Sequence, residues 1–185
     1  MEKAGYQRYE ISNYARPGYA CVHNIGYWKR RDYLGLGLNA SSLIRNTRWK
    51  NTADLDRYLA AFLRLEEMPE TPFGVRSAPG PQSASGVWFA SGTQDMPGAP
   101  GMIEEQETLS MKEQMEEYIM LGLRLTEGIS KTEFLELFHQ DFSFTYEAVI
   151  RRMRELRLLE EKGDRIFLTD AGVDVSNRVI GEFLV

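Results

Sequence analysis

With 185 residues, the chain is long enough to bury one large core or two small ones. Its 43% hydrophobic and 26% charged residues are ordinary for a globular protein, and no apolar run approaches the ~20 residues of a membrane-spanning helix. One cysteine, Cys21, excludes a disulfide framework and any metal site built from several thiolates of this chain, and it fits a reducing, cytoplasmic setting.

The net charge of −5 is unevenly spread. Residues 1–103 hold 12 Lys and Arg against 9 Asp and Glu, whereas residues 104–185 hold 10 against 18. The second half therefore carries the wrong field for a nucleic-acid backbone.

In chain order, YQRYEISNYA (Tyr6 to Ala15) alternates as a strand does and stops at Arg16-Pro17-Gly18. HNIGYW (His23 to Trp28) follows. Read as helix, it stacks His23 on Tyr27 at i, i+4, with Asn24 and Trp28 one step round. YLGLGLNAS (Tyr33 to Ser41) reads as a second strand whose glycines permit close backbone approach. Leu55, Tyr58, Leu59, Phe62 and Leu63 then mark a helical face, with Thr52 as its cap.

Six of the seven prolines fall between Pro69 and Pro100 among glycines and serines, which is linker chemistry, with Val87, Trp88 and Phe89 as an embedded apolar anchor. Beyond it, Met111 to Leu125 reads as a helix. Ser130-Lys131-Thr132-Glu133 is a capping box opening a second helix with Phe134, Leu137 and Phe138. A third, from about Ser143, places Tyr146, Val149, Ile150, Met153 and Leu156 on one face. LLEEKGDRIFLT is a hairpin turning at Lys162-Gly163-Asp164, and a last helix carries Val175, Val179, Ile180 and Phe183. This order is that of a winged-helix-like domain. Arg151, Arg152, Arg154 and Arg157 lie where such a domain would read DNA, but Glu160, Glu161 and Asp164 lie beside them. No nucleic-acid partner is expected, and a protein-docking wing is the alternative.

HNIGYW with Lys29, Arg30 and Arg31 behind it offers an imidazole, a carboxamide, two large rings and cations. A planar dianionic macrocycle such as heme would use that set: axial nitrogen, flat cover and propionate partners. A core aromatic cluster around a hydrogen-bonded histidine is the other reading.

The elements YEISNYA (Tyr9–Ala15), HNIGYW (His23–Trp28), Tyr33–Ser42, Arg48 to Asn51, EQMEEYIMLGLRL and Leu168 to Leu184 together resemble the radical-SAM family of oxygen-independent coproporphyrinogen III oxidase, in its HemW heme-chaperone branch. The resemblance implies an α/β chain, α+β overall, in three parts. Residues 1–68 would be terminal strands and helices of a partial radical-SAM barrel, residues 69–103 a Pro/Gly/Ser-rich linker, and residues 104–185 the winged-helix-like domain. It implies heme or porphyrin as ligand, bound through His23, Asn24, Tyr27 and Trp28, with His23 on the iron. The family's [4Fe–4S] cluster and S-adenosylmethionine need a CxxxCxxC motif absent here, so the sequence reads as a C-terminal fragment. It would be no enzyme by itself, and its partners would be the missing N-terminal half and a protein acceptor of heme. Two departures stand out: Ser41 replaces the family's histidine after the glycine strand, and the proline-rich stretch is long.

Overall fold

The computed structural model describes residues 1–66 and 101–184. A short 3-10 turn (Glu2–Ala4) precedes strands β1 (Gln7–Arg8) and β2 (Tyr14–Ala15) and helix α1 (Val22–Trp28). Next come β3 (Ser41–Ile44), β4 (Thr47–Asn51) and α2 (Leu55–Glu66). Past residue 100 the chain forms β5 (Ile103–Thr108), α3 (Met111–Gly122), β6 (Ile129–Ser130), α4 (Lys131–Phe138), α5 (Phe142–Thr145) and α6 (Glu147–Glu155). Strands β7 (Leu159–Lys162) and β8 (Arg165–Leu168) and helices α7 (Asp170–Asp174) and α8 (Ser176–Gly181) complete it. Helices and small antiparallel sheets make the fold α+β. The anticipated linker, with Val87, Trp88 and Phe89, lies outside the described residues up to residue 100.

Two compact units emerge: residues 32–108, and residues 1–31 together with the chain from Leu109 onward. The first holds the sheet β3-β4-β5, antiparallel throughout. Strand β5 was not anticipated, because IEEQET has no apolar alternation and is exposed at all but its first residue. It forms through cross-strand charge: Glu107 is opposite Arg48, and Glu105 opposite Lys50. The strand expected at Tyr33–Ser41 is instead largely loop, since Gly37 and Asn39 take positive φ (99° and 57°), and β3 begins only at Ser41. Helix α2 is capped by Asp54, whose carboxylate accepts from Arg57 N–H at 3.0 Å, rather than by Thr52. Tyr58 is half-buried and Ala61 buried, while Leu55, Leu59 and Leu63 of the expected apolar face are exposed.

In the other unit, the single strand expected over Tyr6 to Ala15 is a tight hairpin of β1 and β2, with Tyr9 N–H donating to Asn13 O at 3.1 Å. Ser12-Asn13 supply the turn chemistry. Glu10 bridges Leu125 and Ile11 N–H donates to the Arg124 carbonyl, which joins the N-terminal residues to the end of α3.

The core surrounds Phe134. Its ring meets Phe138 at 4.7 Å, Phe142 at 5.0 Å and Tyr118 at 5.8 Å, mostly edge-on, and Phe183 of the C-terminal turn closes over Phe142. Each ring so buried contributes roughly 2–3 kcal/mol. Strand order β6-β8-β7 sets the hairpin against these helices, and its loop turns at Gly163 with φ 61°. The box expected at Ser130–Glu133 is half-formed. Ser130 Oγ accepts from Glu133 N–H at 3.0 Å, but the Glu133 carboxylate accepts instead from the Tyr118 hydroxyl, also at 3.0 Å. Burial, reinforced by that carboxylate, pushes the Tyr118 hydroxyl far above its usual range. A complete box caps α3, between Ser110 and Glu113. No helix among the described residues is long and apolar enough to cross a membrane.

Candidate functional site

HNIGYW is helical, as its spacing requires: it makes up α1 from the second residue on. The helix begins at Cys21 without a side-chain cap and closes at its other end with a Schellman pair. Arg30 N–H donates to Tyr27 O and Arg31 N–H to Gly26 O. The residue in the left-handed position is Arg30 (φ 53°), where glycine is usual. Its side chain supplies the reason. Arg30 Nε donates to Glu117 Oε2 of α3 at 2.6 Å, and both side chains are nearly buried.

The four residues singled out divide into two pairs. His23 and Tyr27 are exposed and meet edge to face, ring centroids 4.7 Å apart and planes at 80°. Asn24 and Trp28 are partly buried and do not repeat that stack. Asn24 Nδ2 donates to the Tyr9 hydroxyl at 3.3 Å, and the guanidinium of Arg124 lies 4.5 Å over the Trp28 ring. Trp28 Nε1 is buried with no hydrogen-bond partner among the described residues. One pair therefore faces solvent and the other fastens the helix.

Of the three cations behind the motif, two are already matched. Lys29 pairs with Glu127 at 2.7 Å and Arg30 with Glu117, whereas Arg31 is exposed. Tyr9, Glu117, Arg124 and Glu127, which hold the site, were missed by sequence reasoning. The YEISN and LGLRL segments that contain two of them, Tyr9 and Arg124, carried no sign of whom they would meet.

The arginines of α6 are also engaged. Arg151 pairs with Glu147, Arg152 with Glu182 and Arg154 with Glu161, at 3.8, 2.9 and 3.2 Å. Glu161 also takes Lys131 at 2.6 Å.

Residues 109–175 match the model of the HemN C-terminal domain. Over its whole length the chain is related to heme chaperones. It is 30% identical to heme chaperone HemW of Lactococcus lactis across 185 residues, all of this chain and 39% of that protein. It is 28% identical to HemW of Bacillus subtilis across 184 residues, 40% of that protein. The chain thus spans about two-fifths of the length of these curated relatives. A solved structure of coproporphyrinogen III oxidase (HemN) from Escherichia coli, described as a radical SAM enzyme, matches with a TM-score of 0.59 at 14% identity, over 98% of this chain and 38% of that one.

Proposed function

We propose that the chain is the C-terminal part of a HemW-type heme chaperone in which α1 presents heme-binding residues. The observation that carries this reading is the His23–Tyr27 pair: an exposed imidazole, packed edge-on against one ring and hydrogen-bonded to none of the described residues. Such a histidine keeps a nitrogen for an axial iron bond while Tyr27 covers part of the macrocycle. Asn24 and Trp28 act from behind, through Tyr9 and Arg124, to fix the helix that carries them.

In the same reading residues 1–68, joined by β5, complete a barrel supplied in part by other sequence. The expected linker of residues 69–103 gives way to β5 at Ile103, and the winged-helix-like cover expected over residues 104–185 begins after β5. A [4Fe–4S] cluster and S-adenosylmethionine would belong to the rest of a full-length protein, because Cys21 alone offers no thiolate set. A protein acceptor of the heme would be the further partner. The carboxylates engaged by Arg151, Arg152 and Arg154 argue against a nucleic-acid role for α6.

A visible-absorption titration with hemin tests the reading. We expect a Soret shift that saturates near one equivalent and disappears in His23→Ala. A shift indifferent to His23, or none, overturns it.

A further inference from the structure

We propose that a cleft distinct from the exposed His23–Tyr27 face binds the carboxylate of an amphipathic acid, with Arg124 as its receptor. The cleft holds about 410 Å³ between the end of α3, the β7–β8 hairpin and the N-terminal hairpin. That size suits a small ligand or one edge of a larger one. Its walls are mixed: Ile11, Leu123, Leu125 and Val173 are apolar, and Arg8 and Arg124 bring positive charge.

The two arginines differ in a way that decides the matter. Arg8 is neutralised by Asp170 at 2.6 Å. Arg124 has no carboxylate among the described residues, and its Nε is buried without a hydrogen-bond acceptor. The Trp28 ring covers its guanidinium. Arg124 is half-buried, with Nε shielded from water; a partly shielded cation gains from a partner, and stacking on an indole supplies only part of that gain. A planar carboxylate is the group that fits the guanidinium fork, and the apolar walls suit the body that carries it. The rim residue Glu160 is exposed, where its repulsion is screened by solvent. Two sources have this chemistry, a small aliphatic acid and a porphyrin propionate. Neither needs the iron–imidazole bond proposed above.

One internal competitor exists. Glu10, next to Ile11 in the chain, is fully buried and both its carboxylate oxygens lack partners. Glu10 is bridged to Leu125 while Ile11 is bonded to Arg124, so the backbone sends the Glu10 and Arg124 side chains to opposite faces of that ladder.

The test titrates the whole chain with octanoate and octanol by calorimetry, and with metal-free protoporphyrin IX and its dimethyl ester by absorbance. Octanoate binding without octanol binding supports the proposal with a free acid as ligand. Protoporphyrin binding without ester binding supports it with the propionate as ligand. In either case Arg124→Gln should weaken binding roughly tenfold or more, and Arg124→Lys, which keeps the charge and loses the fork, by less. The proposal is overturned if no acid binds, if the alcohol or ester binds equally, if Arg124→Gln leaves binding unchanged, or if binding appears only in Glu10→Gln, which would mean that Glu10 neutralises Arg124 internally. The octanol and ester comparisons decide the question in the native chain even if Arg124→Gln fails to fold. Metal-free porphyrin offers His23 no iron, so a failed hemin titration leaves this result standing, and the reverse.

Discussion

Arg30 and Glu117 are joined at 2.6 Å, with side chains 12% and 13% exposed, and the bond closes the end of α1 onto the middle of α3. Removing one partner strands the other charge in a nearly dry place. Glu117→Gln is therefore expected to cost about 2–3 kcal/mol in denaturant unfolding. Arg30→Gly and Arg30→Ala lose the same ion pair, but glycine accepts the left-handed backbone, so Gly should be the milder change by about 1 kcal/mol. Equal losses would show that the Schellman turn is not strained by arginine.

Two glycines should respond in opposite senses to alanine. A Cβ at Gly172 would sit 1.9 Å from the Leu158 carbonyl oxygen, so Gly172→Ala must push α7 away and should cost about 1–3 kcal/mol or more. At Gly26, inside α1, the nearest atom is 4.0 Å away, and Gly26→Ala should stabilise by about 0.5–1 kcal/mol through helix propensity. Thermal melts of the two variants check both signs.

Asp164 accepts from Ser130 Oγ, from Thr132 Oγ1 at 2.7 Å and from Thr132 N–H at 2.9 Å. These bonds, that from Ser130 foremost, hold its carboxyl down at about 2, from an ordinary 3.8. A depressed carboxylate stabilises the fold above its unfolded value and loses that contribution as pH falls through the folded one. Stability should thus decline between about pH 4 and pH 2 in part through Asp164. In Asp164→Asn that component of the acid limb should vanish, which urea titrations at pH 5, 4 and 3 would reveal.

Tyr27→Ala should weaken hemin binding by about 1 kcal/mol, the worth of an aromatic contact, and because the residue is only 37% exposed a thermal melt of the variant is read beside the affinity. A hemin titration beside the wild type measures it. Unchanged affinity would leave His23 without its neighbour's help and remove Tyr27 from the site.

Local signals account for what could be read in advance. The Ser130 cap of α4, the buried Phe134, Phe138, Ile150 and Met153 of the α4 and α6 faces, and the hairpin at Gly163 follow from residues within one or two turns of each other, and so does the His23–Tyr27 contact. Leu137 and Leu156 of those faces, by contrast, are exposed, and α6 has no side-chain cap. The misses come from distance or from charge. Strand β5 exists because Arg48 and Lys50 await its glutamates, and nothing in IEEQET alone announces that. Asn24 found Tyr9 and Trp28 found Arg124, partners that no helical period could name. The Tyr33–Ser41 segment misled because leucines at alternate positions mimic a strand, whereas Gly37 and Asn39 turn the backbone out of it.

The unit that carries α1 is split in sequence, with residues 32–108 lying between its two pieces. Arg30 waits 87 residues for Glu117, Tyr9 waits 117 for Thr126, and Arg8 waits 162 for Asp170. During synthesis the histidine helix therefore leaves the ribosome long before Glu117 of α3 and Arg124 just beyond it exist to seat it. A chain cut short before α3 would carry the HNIGYW letters but not the fixed helix, so completion of the C-terminal residues becomes the condition for presenting His23.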